Sequence, residues 1–215
     1  MAEPFAATKE GHTHIWKNAD GVVVDLSTET FTGNVTYTAV YTAKTYSVST
    51  ISSYYTVDKT TCTFNTELVL TLTFKTGYYA KNNLMVAFMV GNDTTEILCD
   101  VDPYVAGTTT ATIVIPADSV TDNIRIKVTS EYSNVYTITY HYGEDNLKTY
   151  ERDLTYGNRG TLISSSAPTT TAELPGRTLA GWASEDGGEV ITNWRDITVT
   201  GAMDFYAVYT NNTYS

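Results

Sequence analysis

Pro175-Gly-Arg-Thr-Leu-Ala-Gly-Trp182, then Asp186-Gly-Gly188, then Gly201-Ala-Met-Asp-Phe-Tyr-Ala-Val-Tyr-Thr210: these three blocks occur twice in the chain, the second time in degenerate form. Near the other end stand Glu10-Gly-His-Thr-His-Ile-Trp16, Asn18-Ala-Asp-Gly21 and Gly33-Asn-Val-Thr-Tyr-Thr-Ala-Val-Tyr-Thr42, in the same order. The last blocks align at an offset of 168 (33 to 201, 41 to 209), and the tryptophans at 166 (16 to 182). The copies therefore differ by a two-residue indel between Trp and the closing strand. A fixed order of similar blocks marks a repeated supersecondary unit. Its physical logic is simple. A glycine turn leads into a strand that delivers Trp to a core, and a glycine-containing turn reverses the chain. The closing strand then alternates Tyr37, Ala39 and Tyr41 in one copy, and Phe205, Ala207 and Tyr209 in the other. The small central Ala leaves room for the indole on the facing element. Trp16, Tyr37, Tyr41, Trp182, Phe205 and Tyr209 are accordingly expected to be structural, packing residues.

Working outward, nearly every apolar run alternates with period two. Leu68, Leu70, Leu72 and Phe74 fall on one face, as do Ile124, Ile126 and Val128, and as do Tyr136, Ile138, Tyr140 and Tyr142. That is the pattern of half-buried strands. No window carries a helical period. Turn signals separate the runs, among them Thr32-Gly-Asn34, Gly91-Asn-Asp93, Gly143-Glu-Asp-Asn146 and Gly157-Asn-Arg-Gly160. Between the two copies, short strands are predicted near 46–51, 60–65, 67–75, 84–90, 95–101, 109–115 and 123–131. Seven antiparallel strands in that length point to an Ig-like β-sandwich.

The repeated blocks resemble the internalin-type B-repeat, also called the Listeria–Bacteroides repeat. Gly176, Thr178, Gly181, Trp182, Tyr206, Ala207 and Tyr209 carry the likeness in the C-terminal copy, with Leu179 where the family usually has an aromatic. Gly11, Thr13, Trp16, Ala39 and Tyr41 carry it in the first copy, which lacks the Gly before Trp and has His14 in the aromatic position. The resemblance covers about 135–210 as a full unit and about 4–43 as the back half of another. It implies a small β-grasp-like unit used as a stalk or contact module of secreted surface proteins. The expected architecture is thus mostly β: a partial unit over 1–43, an Ig-like sandwich over 44–134, and a complete β-grasp-like unit over 135–215.

Composition narrows the function. Charged residues make up 17% of the 215 and the formal net charge is −11, with 13 Lys and Arg scattered along the chain. Such a chain is repelled by nucleic acid and anionic lipid, so neither is expected as a partner. No run approaches the ~20 apolar residues of a membrane helix. Met1-Ala-Glu-Pro-Phe5 has neither the basic nor the apolar region of a signal peptide, as expected of a segment of a longer secreted protein. Tyr occurs 17 times and favours half-buried pleated surfaces.

Cys62 and Cys99 are the only cysteines. Alternation turns Cys62 inward with Phe64, and Cys99 inward with Ile97 and Val101. Two readings stay open: a disulfide between the sheets, or two buried thiols. His12 and His14 share a strand face but lack further metal ligands, and Asp93, Glu96, Asp100 and Asp102 are candidates for a calcium site only if turns gather them. Asp100 with Asp102, and Glu185 with Asp186, are expected as solvated turn acids rather than a catalytic pair. No nucleophile elbow, phosphate loop or His-Glu-x-x-His occurs. No catalytic activity, metal or cofactor is expected.

The resemblance implies a non-catalytic segment of a bacterial surface protein, from a Gram-positive or gut organism, lying outside the cell at the surface or wall. Its partner would be a host or neighbouring surface protein or glycan, with weak self-association through the N-terminal half-unit. The Tyr richness supports an alternative, a carbohydrate-binding module of a secreted enzyme.

Overall fold

The computed structural model describes residues 8–30, 33–168 and 174–213. The Met1–Phe5 stretch and Thr32 of the sequence reading lie outside them. The described residues are mostly β, with one short α-helix, and the chain divides into two compact units: Met1–Lys75 with Ala80–Tyr132, and Thr76–Tyr79 with Ser133–Ser215.

The first unit opens with β1 (His12–Lys17), β2 (Val23–Val24) and β3 (Thr38–Ala43), joined as a three-stranded sheet in the order β2-β1-β3. There follow β4 (Thr45–Thr50), β5 (Tyr55–Val57), β6 (Thr61–Thr63), β7 (Leu68–Phe74), β8 (Tyr79–Ala80), β9 (Val86–Val90), β10 (Ile97–Leu98), β11 (Asp100–Asp102), β12 (Thr110–Ile115), β13 (Ile124–Val128) and β14 (Tyr132–Ser133). Strands β10-β9-β13-β4-β6 form one sheet and β11-β12-β7-β5 another; β8 and β14 straddle the division between the units, each with one residue in either. The alternation that predicted these strands also fills their core. Leu68, Leu70, Leu72 and Phe74 of β7 are buried, as are Ile124, Ile126 and Val128 of β13. Tyr55 joins the two sheets. Its buried hydroxyl accepts the Val128 N–H at 3.1 Å, so a polar tip reaches across an apolar interior without being left unpaired. This arrangement is consistent with a β-sandwich.

Two expectations need correction here. The strands are not all antiparallel: β4 runs parallel to β13, with Val48 opposite Ile124. Asp100 and Asp102 lie in strand β11, not in a turn. Strand β5 escaped the sequence reading because only Tyr55 and Val57 carry its alternation.

Residues 8–43 meet the rest of this unit at the start of β1. Lys44 N–H donates to the Gly11 carbonyl at 2.8 Å, and Phe64 N–H donates to the Lys44 carbonyl at 2.9 Å. His12 stands edge-on to Phe64 with ring centroids 5.7 Å apart. Gly11 holds φ of +63°, and a Cβ there would lie 2.2 Å from the Phe64 ring. Both the left-handed backbone and the close ring require glycine.

The second unit contains β15 (Val135–Tyr142), β16 (Lys148–Thr155), α1 (Gly160–Ser166), β17 (Arg177–Ala183) and β18 (Met203–Asn211), in the sheet order β16-β15-β18-β17. Strand β15 is antiparallel to β16 and parallel to β18. Its core is Ile138, Tyr140, Ile163, Ala167, Trp182, Val199, Phe205 and Ala207. The Tyr140 ring meets Trp182 edge-on at 5.1 Å and stacks on Phe205 at 5.7 Å. Its hydroxyl donates to the Ile163 carbonyl at 2.5 Å and lies 2.8 Å from Ser166 Oγ. Burial raises the Tyr140 phenol above its ordinary pKa, the Ser166 hydrogen bond opposing that shift.

Helix α1 was not expected. Apart from Leu162, Gly-Thr-Leu-Ile-Ser-Ser-Ser lacks strong helix formers, and a helix this short is not stable alone. Tertiary packing holds it: Ile163 is fully buried, and Gly160 N–H donates to the Ile197 carbonyl at 2.8 Å.

Candidate contact surfaces

The two copies are built on the same strand register. In the first, Trp16 stands opposite Ala39 across β1 and β3; in the second, Trp182 stands opposite Ala207 across β17 and β18. The β1–β3 ladder runs unbroken from His12–Ala43 to Lys17–Thr38. The β17–β18 ladder shifts between Leu179 and Gly181, so Ala180 is an extra, bulged residue. That bulge explains why Thr13 to Trp16 spans one residue fewer than Thr178 to Trp182. Beyond each Trp the chain returns to the same place: Val24 pairs with Trp16, and Ile191 N–H donates to the Trp182 carbonyl at 2.8 Å.

The six aromatics do not share one environment. Trp182 and Phe205 are buried, at 6% and 1% exposure. Tyr209 is half-buried, and its hydroxyl accepts the Gly143 N–H at 3.0 Å. Trp16 and Tyr37 are half-buried, and the Tyr37 hydroxyl donates to Glu29 Oε2 at 3.2 Å. Tyr41 is 38% exposed. A buried cluster thus surrounds Trp182, whereas Trp16 is only half-buried. The reason is layering. In the second unit, Ile163 of α1 and Ile138 and Tyr140 of β15 complete the core that holds Trp182. In the first, among the described residues, the sheet has no strand in the place of β15.

What the first unit has instead is an aromatic row. His12, His14 and Trp16 alternate along β1 on the face that holds Tyr41. His14 lies 5.7 Å from the Trp16 ring and 6.0 Å from Tyr41, and the Lys9 ammonium sits 5.7 Å above Tyr41. The opposite face shows an exposed apolar pair, Ile15 across from Val40. The sequence reading placed His12 and His14 on one face but assigned them no neighbours, since the register that brings Tyr41 to them is a tertiary fact.

A second surface was missed altogether. Asn82, Asn83, Met85, Tyr104, Ala106, Thr129, Ser130 and Glu131 line an open groove of about 580 Å³. Tyr104 is 49% exposed there. Ser130 Oγ accepts the Met85 N–H at 3.0 Å, tying one wall in place. Within the sequence these residues fall in three separate loops, and nothing local connects them.

The cysteines do not form a disulfide; both are free thiols. Cys62 lies on β6 opposite Tyr46, and Cys99 follows β10, donating its N–H to the Val86 carbonyl of the β9 neighbourhood. β6 and β10 are the two outer strands of one five-stranded sheet. Four strand spacings of ~4.8 Å separate such edges, far beyond the reach of a disulfide. Cys62 is buried, but Ile97 is 43% exposed and Cys99 only partly buried, so the inward set around Cys99 is also corrected.

Among the described residues, no cluster of three or more His, Cys, Asp or Glu is placed to hold a metal ion. Two of the four acids named for calcium have other partners: Asp93 Oδ1 accepts from Thr95, and Glu96 pairs with Lys127. Among the described residues, no helix is long and apolar enough to cross a membrane. Compared with protein families, curated proteins and solved structures, the chain gives no match.

Proposed function

We propose that this chain is a non-catalytic structural or adhesive segment of a bacterial surface protein, built from two B-repeat-like, β-grasp-type units around an Ig-like sandwich. The observation that supports it is the shared register, Trp16 with Ala39 and Trp182 with Ala207. Two copies of one strand pairing in one chain are what a modular spacer requires. The groove and the aromatic row supply polar and apolar contact surface without a converging acid–base or nucleophilic set. An antibody raised against the chain should label intact, unpermeabilised cells of the source organism. Labelling that appears only after permeabilisation overturns the surface assignment.

The Tyr104 groove favours a second reading, binding of a glycan. Its size suits a small ligand, and an exposed phenol ring in a groove also lined by Asn82 and Asn83 offers a stacking face alongside polar groups. A glycan array followed by calorimetry separates the two. A saturable micromolar ligand lost in Tyr104→Ala would replace the spacer reading by this one.

A further inference from the structure

Among the described residues, the outer edge of β3 carries no strand, whereas the second unit displays the same joint completed. In the second unit, β18 lies between β17 and β15, with Ile138 opposite Met203, Thr139 opposite Asp204, Tyr140 opposite Phe205 and His141 opposite Tyr206. At the offset of 168, those β18 positions correspond to Val35, Thr36 and Tyr37, which lead into β3, and to Thr38, its first residue. Among the described residues, β3 pairs with β1 alone.

The hydrogen-bonding phase of that edge follows from the ladder. Lys44 N–H bonds to Gly11 O, which sets the pairs that exchange hydrogen bonds with β1. Antiparallel pairs alternate, so Thr42, Val40 and Thr38 face β1, and Ala39 and Tyr41 turn their N–H and C=O groups to the opposite edge.

Charge separates this edge from the two outer strands of the second unit. β16, the outer strand of the second unit, reads Lys148-Thr-Tyr-Glu-Arg-Asp-Leu-Thr155, with four charged residues. β17, at the other side, carries Arg177 and the Ala180 bulge. Charges and bulges are how exposed edges avoid pairing with foreign strands. β3 reads Thr-Ala-Val-Tyr-Thr-Ala, with no charge, no proline and no bulge. Its neighbouring face is open as well, with Tyr41 38% and Val35 55% exposed.

We infer that the β3 edge is a β-augmentation site that receives a parallel strand patterned like Val135–Tyr142, the front of a like unit, from a polypeptide segment other than residues 8–213. The incoming strand lies along Val35–Tyr41. Its alternate apolar and tyrosine side chains cover Trp16 and Tyr41 as Ile138 and Tyr140 cover Trp182. Main-chain bonds supply affinity and the alternating side chains supply selectivity. The inference rests on the repeat equivalence behind the proposed function, but not on the cellular location.

The test uses the full chain, isotope-labelled, and a synthetic peptide with the sequence of residues 133–168. Saturable binding should slow amide exchange at Ala39 and Tyr41 by about tenfold or more and shift Trp16 emission to the blue. The peptide carrying Ile138→Lys and Tyr140→Lys should do neither, and Ala39→Pro in the chain should abolish the effect while leaving the β1–β3 ladder in place. Because the peptide variant leaves the protein untouched, a misfolded Ala39→Pro does not blunt the test. Exchange at Ala39 and Tyr41 that is already slow in the free monomer overturns the inference, since the edge is then covered within the chain. Protection that rises with protein concentration and without peptide also overturns it, since a second copy is then the occupant. Loss of the Trp16–Ala39 contact in the nuclear Overhauser spectrum would instead remove the repeat equivalence itself, whereas a failed surface-labelling experiment leaves this joint standing.

Discussion

Trp182 and Trp16 occupy matched positions in two copies of one motif, yet one is 6% exposed and the other only half-buried. Equal sequence context thus produces unequal energetics. Truncating a buried Trp removes its transfer energy and leaves a cavity, so Trp182→Ala should destabilise the second unit by about 3–5 kcal/mol. Trp16→Ala should cost the first unit clearly less, because water already reaches its ring. Urea titrations of both variants check the order, and equal losses would mean Trp16 is as well covered as Trp182. Cys99 offers a second residue-scale test. Burial, with a smaller contribution from the Asp100 charge, pushes its thiol up from 9.0 to about 12. The folded state therefore holds this proton more tightly than the unfolded chain. That contribution to stability is present below about pH 9 and is lost as the pH climbs toward 12. The buried phenols of Tyr55 and Tyr140, raised for the same reason, add to the decline. The urea midpoint should fall on going from about pH 8 to about pH 10, and fall less in Cys99→Ala. At the lower pH, iodoacetamide should leave native Cys99 almost unmodified, since only the thiolate reacts.

At the scale of elements, the strands were legible and the helix was not. Period-two alternation over Leu68–Phe74 and Val135–Tyr142 is imposed by the pleat itself, so the sequence carries it directly. Helix α1 carries no such signature, because Ile163 is its one fully buried side chain and the propensity of its serines and Gly160 argues against helix. What makes it a helix is its fit against the Trp194–Asp196 turn. A Cβ on Gly160 would lie 1.5 Å from the Trp194 carbonyl oxygen, a backbone atom with no freedom to swing aside. Gly160→Ala should therefore part α1 from that turn and cost the second unit about 1–3 kcal/mol, the usual range for an overfilled core. Gly157→Ala is the informative neighbour: its φ of +83° penalises any side chain, but nothing lies within 4 Å to clash. Thermal melts should rank Gly160→Ala below wild type with a loss of near-ultraviolet signal from Trp194, while Gly157→Ala keeps that signal. Preservation of the Trp194 signal in Gly160→Ala would show that α1 and the turn are not packed as described. The same reasoning covers the bulge at Ala180, which lies before Trp182, outside the indel the aligned copies show, and emerges only from the strand register.

For the whole molecule, the first determinant is charge. A formal charge of −11 over 215 residues is a property of composition, independent of how the strands pair. It predicts that the chain passes through heparin and DNA columns unretained at about 0.1 M salt, where the Debye length is ~10 Å and a local basic patch would still be felt. Retention would reveal such a patch. The sequence by itself also determined the β class and the doubled Trp-to-closing-strand motif, because both are written in local periodicity and in the order of short blocks. Only the tertiary structure decided which strand lies beside which. It set β4 parallel to β13, sent Cys62 and Cys99 to opposite edges of one sheet, and gathered Asn82, Tyr104 and Glu131 into one groove. It also covered Trp182 with β15 and α1, while Trp16 keeps a half-open neighbourhood. The physical reason is that periodicity fixes which face of a strand turns inward, whereas burial and pairing depend on partners tens of residues away, which no local pattern encodes.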